Sequence, residues 1–217
     1  MSAEITRYSL FERAVHWFVA LTFAALLASG LALAYPRMAW LAGMFGGGQS
    51  MRWLHPVIGA GFSAGVLAMA MLWTKDCLFS KADREWLRRL GRYVTEGHTG
   101  LDTGKYNAGQ KGYFWWALVT SLALLATGVP LWFPLRLGLG LLQVMRIAHH
   151  LFFLLALAGF IIHVYLSTAA FPGTLPAMTS GRVTRGWAAW HHPRWFRDHN
   201  PVGTLPGKRD RSEASGP

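Results

Sequence analysis

Three histidines, His149, His150 and His163, stand in the stretch Ile147 to Ala170, which has the length of a membrane-spanning helix and contains no Asp, Glu, Lys or Arg. Ionisable side chains are costly inside an apolar span and mark functional sites there. At about 3.6 residues per turn, His163 returns to within roughly 40° of the face that carries His149, about 21 Å further along the axis. His150 is turned roughly 140° from His163 and is the weaker ligand candidate. No single metal bridges that distance. Two cofactors at different depths of a hydrocarbon core about 30 Å thick can take one imidazole each.

Four apolar spans must position these residues, at about 14–34, 53–74, 113–133 and 147–170. Residues 35–52 read as a glycine-rich connector and residues 134–146 as a second one. The span from Trp53 to Trp73 opens with His55-Pro56, a proline suited to a first helical turn. Its two tryptophans are expected at opposite membrane interfaces. A long polar segment from Lys75 to Lys111 starts with a short surface helix, Lys81 to Tyr93, and ends in a loop rich in Gly, Asn and Thr. Basic residues set the topology. The N-terminal segment holds two, the polar segment eight and the tail seven, against four (Arg37, Arg52, Arg136 and Arg146) in the other connectors. The positive-inside rule therefore puts both termini in the cytoplasm.

That topology sorts the histidines by depth. His16 and His163 fall on the cytoplasmic side, His55 and His149 on the outer side. Two bis-histidine haems, stacked across the bilayer between facing helices, account for the sorting. The fold expected is all-α: an integral membrane four-helix bundle over residues 1–175, then a basic cytoplasmic tail over 176–217 with a disordered end. One misfit stands out. His16 begins its span whereas His163 lies well inside its own, and a first helix reaching below Ala14 would remove the discrepancy.

Composition agrees with a membrane. The chain is 53% hydrophobic and 14% charged, against about 25% charged in an average globular domain. The net charge of +11 flanks apolar spans, so it reads as topology and not as a nucleic-acid surface. A single cysteine, Cys77, excludes an internal disulfide and cysteine-ligated clusters within this chain. Ala32-Leu33-Ala34 resembles a signal-peptide cleavage site, but the span is too long and contains His16. A lone interfacial histidine ordinarily meets a hydrogen-bond partner or a headgroup, and it is the joint depth pattern that favours ligands. His98, His191, His192 and His199 lie in polar segments and are expected to be solvated. Met69 and Met71 are expected in packing and lipid contact.

The chain resembles the gamma-subunit family of respiratory formate dehydrogenases, b-type dihaem cytochromes, over about residues 5–200. Arg13-Ala14-Val15-His16-Trp17, His55-Pro56, the His149/His163 helix, Gly181-Arg182-Val183-Thr184 and His191-His192-Pro193-Arg194-Trp195 carry the likeness. Its most specific element is Gly104-Lys105-Tyr106-Asn107-Ala108-Gly109-Gln110-Lys111. Hydrogenase cytochrome b subunits share the histidine-bearing bundle without being distinguished by it.

The resemblance implies two haem b groups held by His16, His55, His149 and His163, a bacterial inner-membrane location, an iron–sulfur (beta) partner subunit and a molybdenum- or tungsten-containing (alpha) subunit that oxidises formate. Electrons would pass from the outer haem to the inner one and on to menaquinone or ubiquinone near the cytoplasmic face. The quinone is expected where the loop meets the inner haem, with Asn107 hydrogen-bonding a carbonyl and Tyr106, Gln110 and Lys111 as further candidates. A plain turn capping the third span is the competing reading of that loop. Competing functions are a membrane hydrogenase cytochrome, a free-standing dihaem quinone oxidoreductase, and a haem-free scaffold or transporter.

Overall fold

The first long helix, α1 (Leu10–Ala34), starts where a capping box places it. Ser9 Oγ accepts from the Glu12 backbone N–H at 3.2 Å, and Glu12 Oε2 accepts from the Ser9 backbone N–H at 2.8 Å, which satisfies two donors at the helix entry. The same device starts α5 (Ala108–Trp132), through Asn107 and Gln110. Both helices therefore begin before the expected boundaries, because polar first turns look like loop by hydropathy. The early start of α1 puts His16 well inside its helix and removes the depth misfit.

The computed structural model describes residues 3–96, 100–134 and 138–199. His98, Arg136 and the end of the tail, expected to be disordered, lie outside them. Between α1 and α2 (Gly48–Trp73), the expected connector is largely a 3-10 helical segment, Pro36–Phe45. It ends at Gly46 and Gly47, whose φ of 78° and 99° belong to the left-handed region open to glycine. Pro56 lies inside α2 and not in its first turn. The fourth span is α6 (Leu139–Tyr165), continued by a π-helical turn, Leu166–Ala170. It begins before the expected Ile147 because Leu139 to Val144 extends the apolar run across Gln143 and Arg146.

Among the described residues, four helices are long and apolar enough to cross a membrane. In the bundle α1 packs on α2, α5 on α6, and α2 against α5. Leu21, Val119, Leu151 and Ile161 point outward and exposed, as a lipid-facing surface requires. Small residues bring helices close: a Cβ on Gly65 would lie 2.8 Å from Val19 Cγ2, and one on Gly159 would lie 2.7 Å from Trp116 Nε1.

One end of the bundle carries nearly all the remaining structure. Strand β1 (Glu4–Thr6) pairs antiparallel with β2 (Arg182–Thr184), Ile5 opposite Val183. This ribbon, absent from the all-α expectation, joins the N-terminus to the tail. Gly181 makes the junction: its φ is 81°, and a Cβ there would sit 2.7 Å from the Tyr8 carbonyl oxygen. Around the ribbon lie α3 (Lys81–Arg88), α4 (Leu90–Glu96), α7 (Pro176–Thr179), α8 (Arg185–His191) and α9 (Pro193–His199). Helices α3 and α4 replace the single surface helix expected over 81–93.

A core of Tyr8, Trp73, Cys77, Val183, Trp195 and Phe196 fills this ribbon end. Trp73 was expected at a lipid interface; it is buried instead, its indole N–H donating to Glu12 Oε1 at 3.0 Å. His192 was expected in solvent and is 1% exposed. The tail folds back over the N-terminal segment, a long-range contact that hydropathy does not register.

Candidate functional site

The four candidate ligand histidines meet as two facing pairs. His16 of α1 and His163 of α6 lie near the ribbon end, their ring centroids 6.2 Å apart. His55 of α2 and His149 of α6 lie towards the opposite end, 6.5 Å apart. Two imidazoles bound to opposite faces of one iron, each nitrogen about 2 Å from the metal, put their centroids about 6 Å apart. The residues present therefore fit a bis-histidine haem at both places. Among the described residues no three His, Cys, Asp or Glu side chains gather as a metal site. Each pair thus suits a cofactor that brings its own equatorial nitrogens. His150 stands apart, its Nδ1 hydrogen-bonded to the Arg146 carbonyl of its own helix at 2.8 Å.

At the opposite-end pair, hydroxyls settle which nitrogen is free. Ser29 Oγ donates its one hydrogen to the Ala25 carbonyl at 2.7 Å and lies 2.8 Å from His55 Nδ1. Thr127 Oγ1 donates to the Ala123 carbonyl at 2.7 Å and lies 2.9 Å from His149 Nδ1. Each hydroxyl hydrogen is committed to a carbonyl, so each oxygen accepts from an imidazole Nδ1–H. The proton then sits on Nδ1, and the Nε2 lone pair is the one presented to a metal. A glycine follows each hydroxyl. A Cβ on Gly30 would approach His55 Cε1 to 3.5 Å, and one on Gly128 would approach His149 Cε1 to 3.2 Å. Sequence reading missed Ser29 and Thr127; the available signal was a hydroxyl-glycine pair inside an apolar span at the depth of a histidine.

The ribbon-end pair is held by rings. Tyr113 stacks on His163, with centroids 4.5 Å apart and planes within 5°, and Trp17 stands edge-on to His16 at 5.5 Å. His16 Nδ1 is buried and has no hydrogen-bond partner among the described residues.

The expected quinone loop runs into this end. Asn107 is buried and caps α5: its Oδ1 accepts from the Gln110 N–H at 2.9 Å, and its Nδ2 donates to Tyr93 Oη at 3.3 Å. Gln110 turns its own carbonyl oxygen to the Asn107 N–H. Capping and ligand binding are compatible, because one Nδ2 hydrogen of Asn107 lies outside these bonds. Lys111 is buried too, donating to Asp83 at 2.8 Å and to the Leu78 carbonyl at 2.9 Å, with a third ammonium hydrogen beyond those two. Burial pushes the Asp83 carboxyl up, but Lys111 and the Ser80 donors outweigh it and hold the group below its ordinary value, ionised. A cavity of about 330 Å³ opens here, lined by Asp83, Tyr106, Asn107 and Lys111. Three of the four quinone candidates line it, and Gln110 does not. From Lys111 the same helix reaches Tyr113, which stacks on His163, within one turn.

The model of the prokaryotic cytochrome b561 family matches residues 7–181 of the chain. The formate dehydrogenase cytochrome b556(fdo) subunit of Escherichia coli (strain K12) is 35% identical over 197 residues, covering 89% of this chain and 92% of its own. The nitrate-inducible formate dehydrogenase cytochrome b556(Fdn) subunit of the same strain is 33% identical over 201 residues, covering 91% and 92%. The formate dehydrogenase cytochrome b556 subunit of Haemophilus influenzae is 29% identical over 198 residues, covering 89% and 83%.

Proposed function

The chain belongs to the prokaryotic cytochrome b561 family, a family of haem b membrane proteins, and from that premise we propose that it is the membrane cytochrome b subunit of a formate dehydrogenase. In this reading it carries electrons from an iron–sulfur partner, reduced by a molybdenum- or tungsten-containing subunit, across two haems to quinone. The observation that carries it is the pair of facing histidine pairs at two depths, each at the separation one iron requires.

Bound haem b would supply one-electron transfer, with His16 and His163 holding one group and His55 and His149 the other. The chain supplies the rest. His55 and His149 present Nε2 because Ser29 and Thr127 hold the Nδ1 protons. Tyr113 fixes the ring plane of His163. At the ribbon end, Asn107 and Lys111 direct their remaining hydrogens towards the carbonyl oxygens of a quinone in the adjoining cavity. The basic residues favour a cytoplasmic ribbon end, so the two protons consumed in forming quinol are drawn from the cytoplasm. With formate oxidised on the other side, charge is separated across the membrane without a pump.

Purification of the intact complex from the native membrane tests this. The expected result is two haem b per chain, reduced by formate, re-oxidised by added quinone, and co-purifying with iron–sulfur and molybdenum- or tungsten-containing subunits. Reduction by hydrogen and not by formate makes the chain a hydrogenase cytochrome. A dihaem preparation with no partner subunits makes it free-standing.

A further inference from the structure

Residues 102–107 have no regular secondary structure up to the Asn107 cap, yet nearly every residue is gripped from elsewhere. Asp102 takes both carboxylate bonds from Arg197 Nη2 at 2.7 Å. The Thr103 carbonyl accepts from the Arg194 backbone N–H at 3.1 Å. The Gly104 carbonyl accepts from His192 Nδ1 at 2.7 Å, and the Lys105 carbonyl accepts from Arg7 Nη2. Lys105 itself is paired with Asp76 at 3.0 Å. Three consecutive carbonyls are thus held by the tail and the N-terminal segment. The tail residues that do this, His192, Arg194 and Arg197, lie beyond residue 181, where the family match ends.

Two of the gripping side chains are buried, His192 at 1% and Arg7 at 6% exposure, and they are bonded to each other. Arg7 Nη2 lies 3.2 Å from His192 Nε2. A guanidinium has only hydrogens to give, so Nε2 accepts, and the ring proton sits on Nδ1, aimed at the Gly104 carbonyl. Arg7 has no carboxylate partner among the described residues; its guanidinium carbon lies 4.8 Å from the Trp195 ring and 5.2 Å from that of Trp187. Burying such a cation is costly, and an apolar side chain fills a core more stably. What the arginine adds is a rigid donor fork fixing one ring tautomer and one carbonyl. Burial and the neighbouring Arg7 also hold the His192 imidazole well below its ordinary value, so it stays neutral and keeps its acceptor.

We infer that Arg7 and His192 are positioning residues for quinone: together they hold the Gly104–Lys105 backbone so that Tyr106 and Asn107 face the cavity in fixed register. The inference rests on the quinone reading of that cavity. It gives the ribbon end a task beyond stability, because a loop without structure of its own sets the cavity wall and the α5 cap together.

The test uses the intact complex and a short-tailed soluble quinone, with quinone KM and kcat measured beside haem content. His192→Ala should raise KM about fivefold, the factor for one hydrogen bond, with kcat within about twofold and both haem spectra retained. His192→Gln, whose carboxamide offers N–H and oxygen at similar positions, should restore KM. Wild-type KM in His192→Ala, with KM raised in Asn107→Ala, overturns the inference and leaves the quinone site standing. Wild-type KM in both overturns the site reading and the inference with it. Should His192→Ala lose haem or fail to assemble, Arg7→Lys decides. That variant keeps the charge and loses the fork: raised KM with normal haem supports the inference, and wild-type KM overturns it.

Discussion

The two histidine pairs span nearly equal distances and both draw one member from α6, but their supports differ in kind. At the opposite end, Ser29 and Thr127 bind the far nitrogens of His55 and His149. At the ribbon end, Tyr113 and Trp17 pack against the faces and edges of His163 and His16. A hydroxyl whose hydrogen is already spent on a carbonyl fixes which nitrogen carries the proton. A stacked ring fixes the plane of the imidazole and leaves its proton unassigned. The first arrangement suits a site that only relays electrons. The second suits a site beside a reactant whose binding and protonation change its surroundings.

The comparison breaks most directly at the ligands. His55→Ala or His149→Ala should remove the opposite-end haem and spare the other, and His16→Ala or His163→Ala should do the reverse, read from haem content and reduced-minus-oxidised spectra. His150→Ala should keep both. Loss of both haems from any single variant means the pairs are not independent sites.

Next in size are the hydroxyls. Ser29→Ala and Thr127→Val remove acceptors of a kind whose loss from metal sites costs about 10–100-fold in affinity. They should weaken haem retention at the opposite end alone. Because a hydrogen-bonded imidazole is the more basic ligand, they should also move that haem's midpoint potential upward in a redox titration. An equal shift at the ribbon-end haem erases the distinction between the pairs. Smaller again is Asn107→Ala, which should slow quinone reduction by about fivefold, the equivalent of about 1 kcal/mol for one hydrogen bond. A quinone-site inhibitor should perturb the ribbon-end haem spectrum only. Smallest is Tyr113→Ala, a loss of about 0.5–1.5 kcal/mol of ring contact that should alter the electron paramagnetic resonance signal of the ribbon-end haem. Tyr113→Phe should leave that signal alone.

Much of this bundle was legible in the sequence because its signals are local. Apolar runs give the spans, and an imidazole inside such a run announces itself. The depth sorting of His16 with His163 and His55 with His149 needed nothing more than direction of travel. What escaped depends on partners far along the chain or on geometry hydropathy ignores. Ser29 and Thr127 look like ordinary helix residues bonding back to a carbonyl one turn earlier. His192 sits in a polar, basic stretch and becomes buried only when that stretch folds over Arg7. Asn107 drew attention as a quinone ligand, while its spacing to Gln110 also spelled a capping box.

The pairing of Ile5 with Val183 joins segments that lie on either side of all four long helices in the sequence. A contact this distant in sequence forms late, after the loop-closure cost of everything between has been met. The strand at the N-terminus must therefore wait, unpaired, while four helices are threaded into the membrane. Its closure with β2 shows that the chain has been made past Thr184, and a chain stopped before Arg182 leaves Arg7 without His192 and the tail's rings. Quality control that recognises an open strand edge or an uncovered aromatic core would distinguish such a fragment from a chain that carries β2 at this one place.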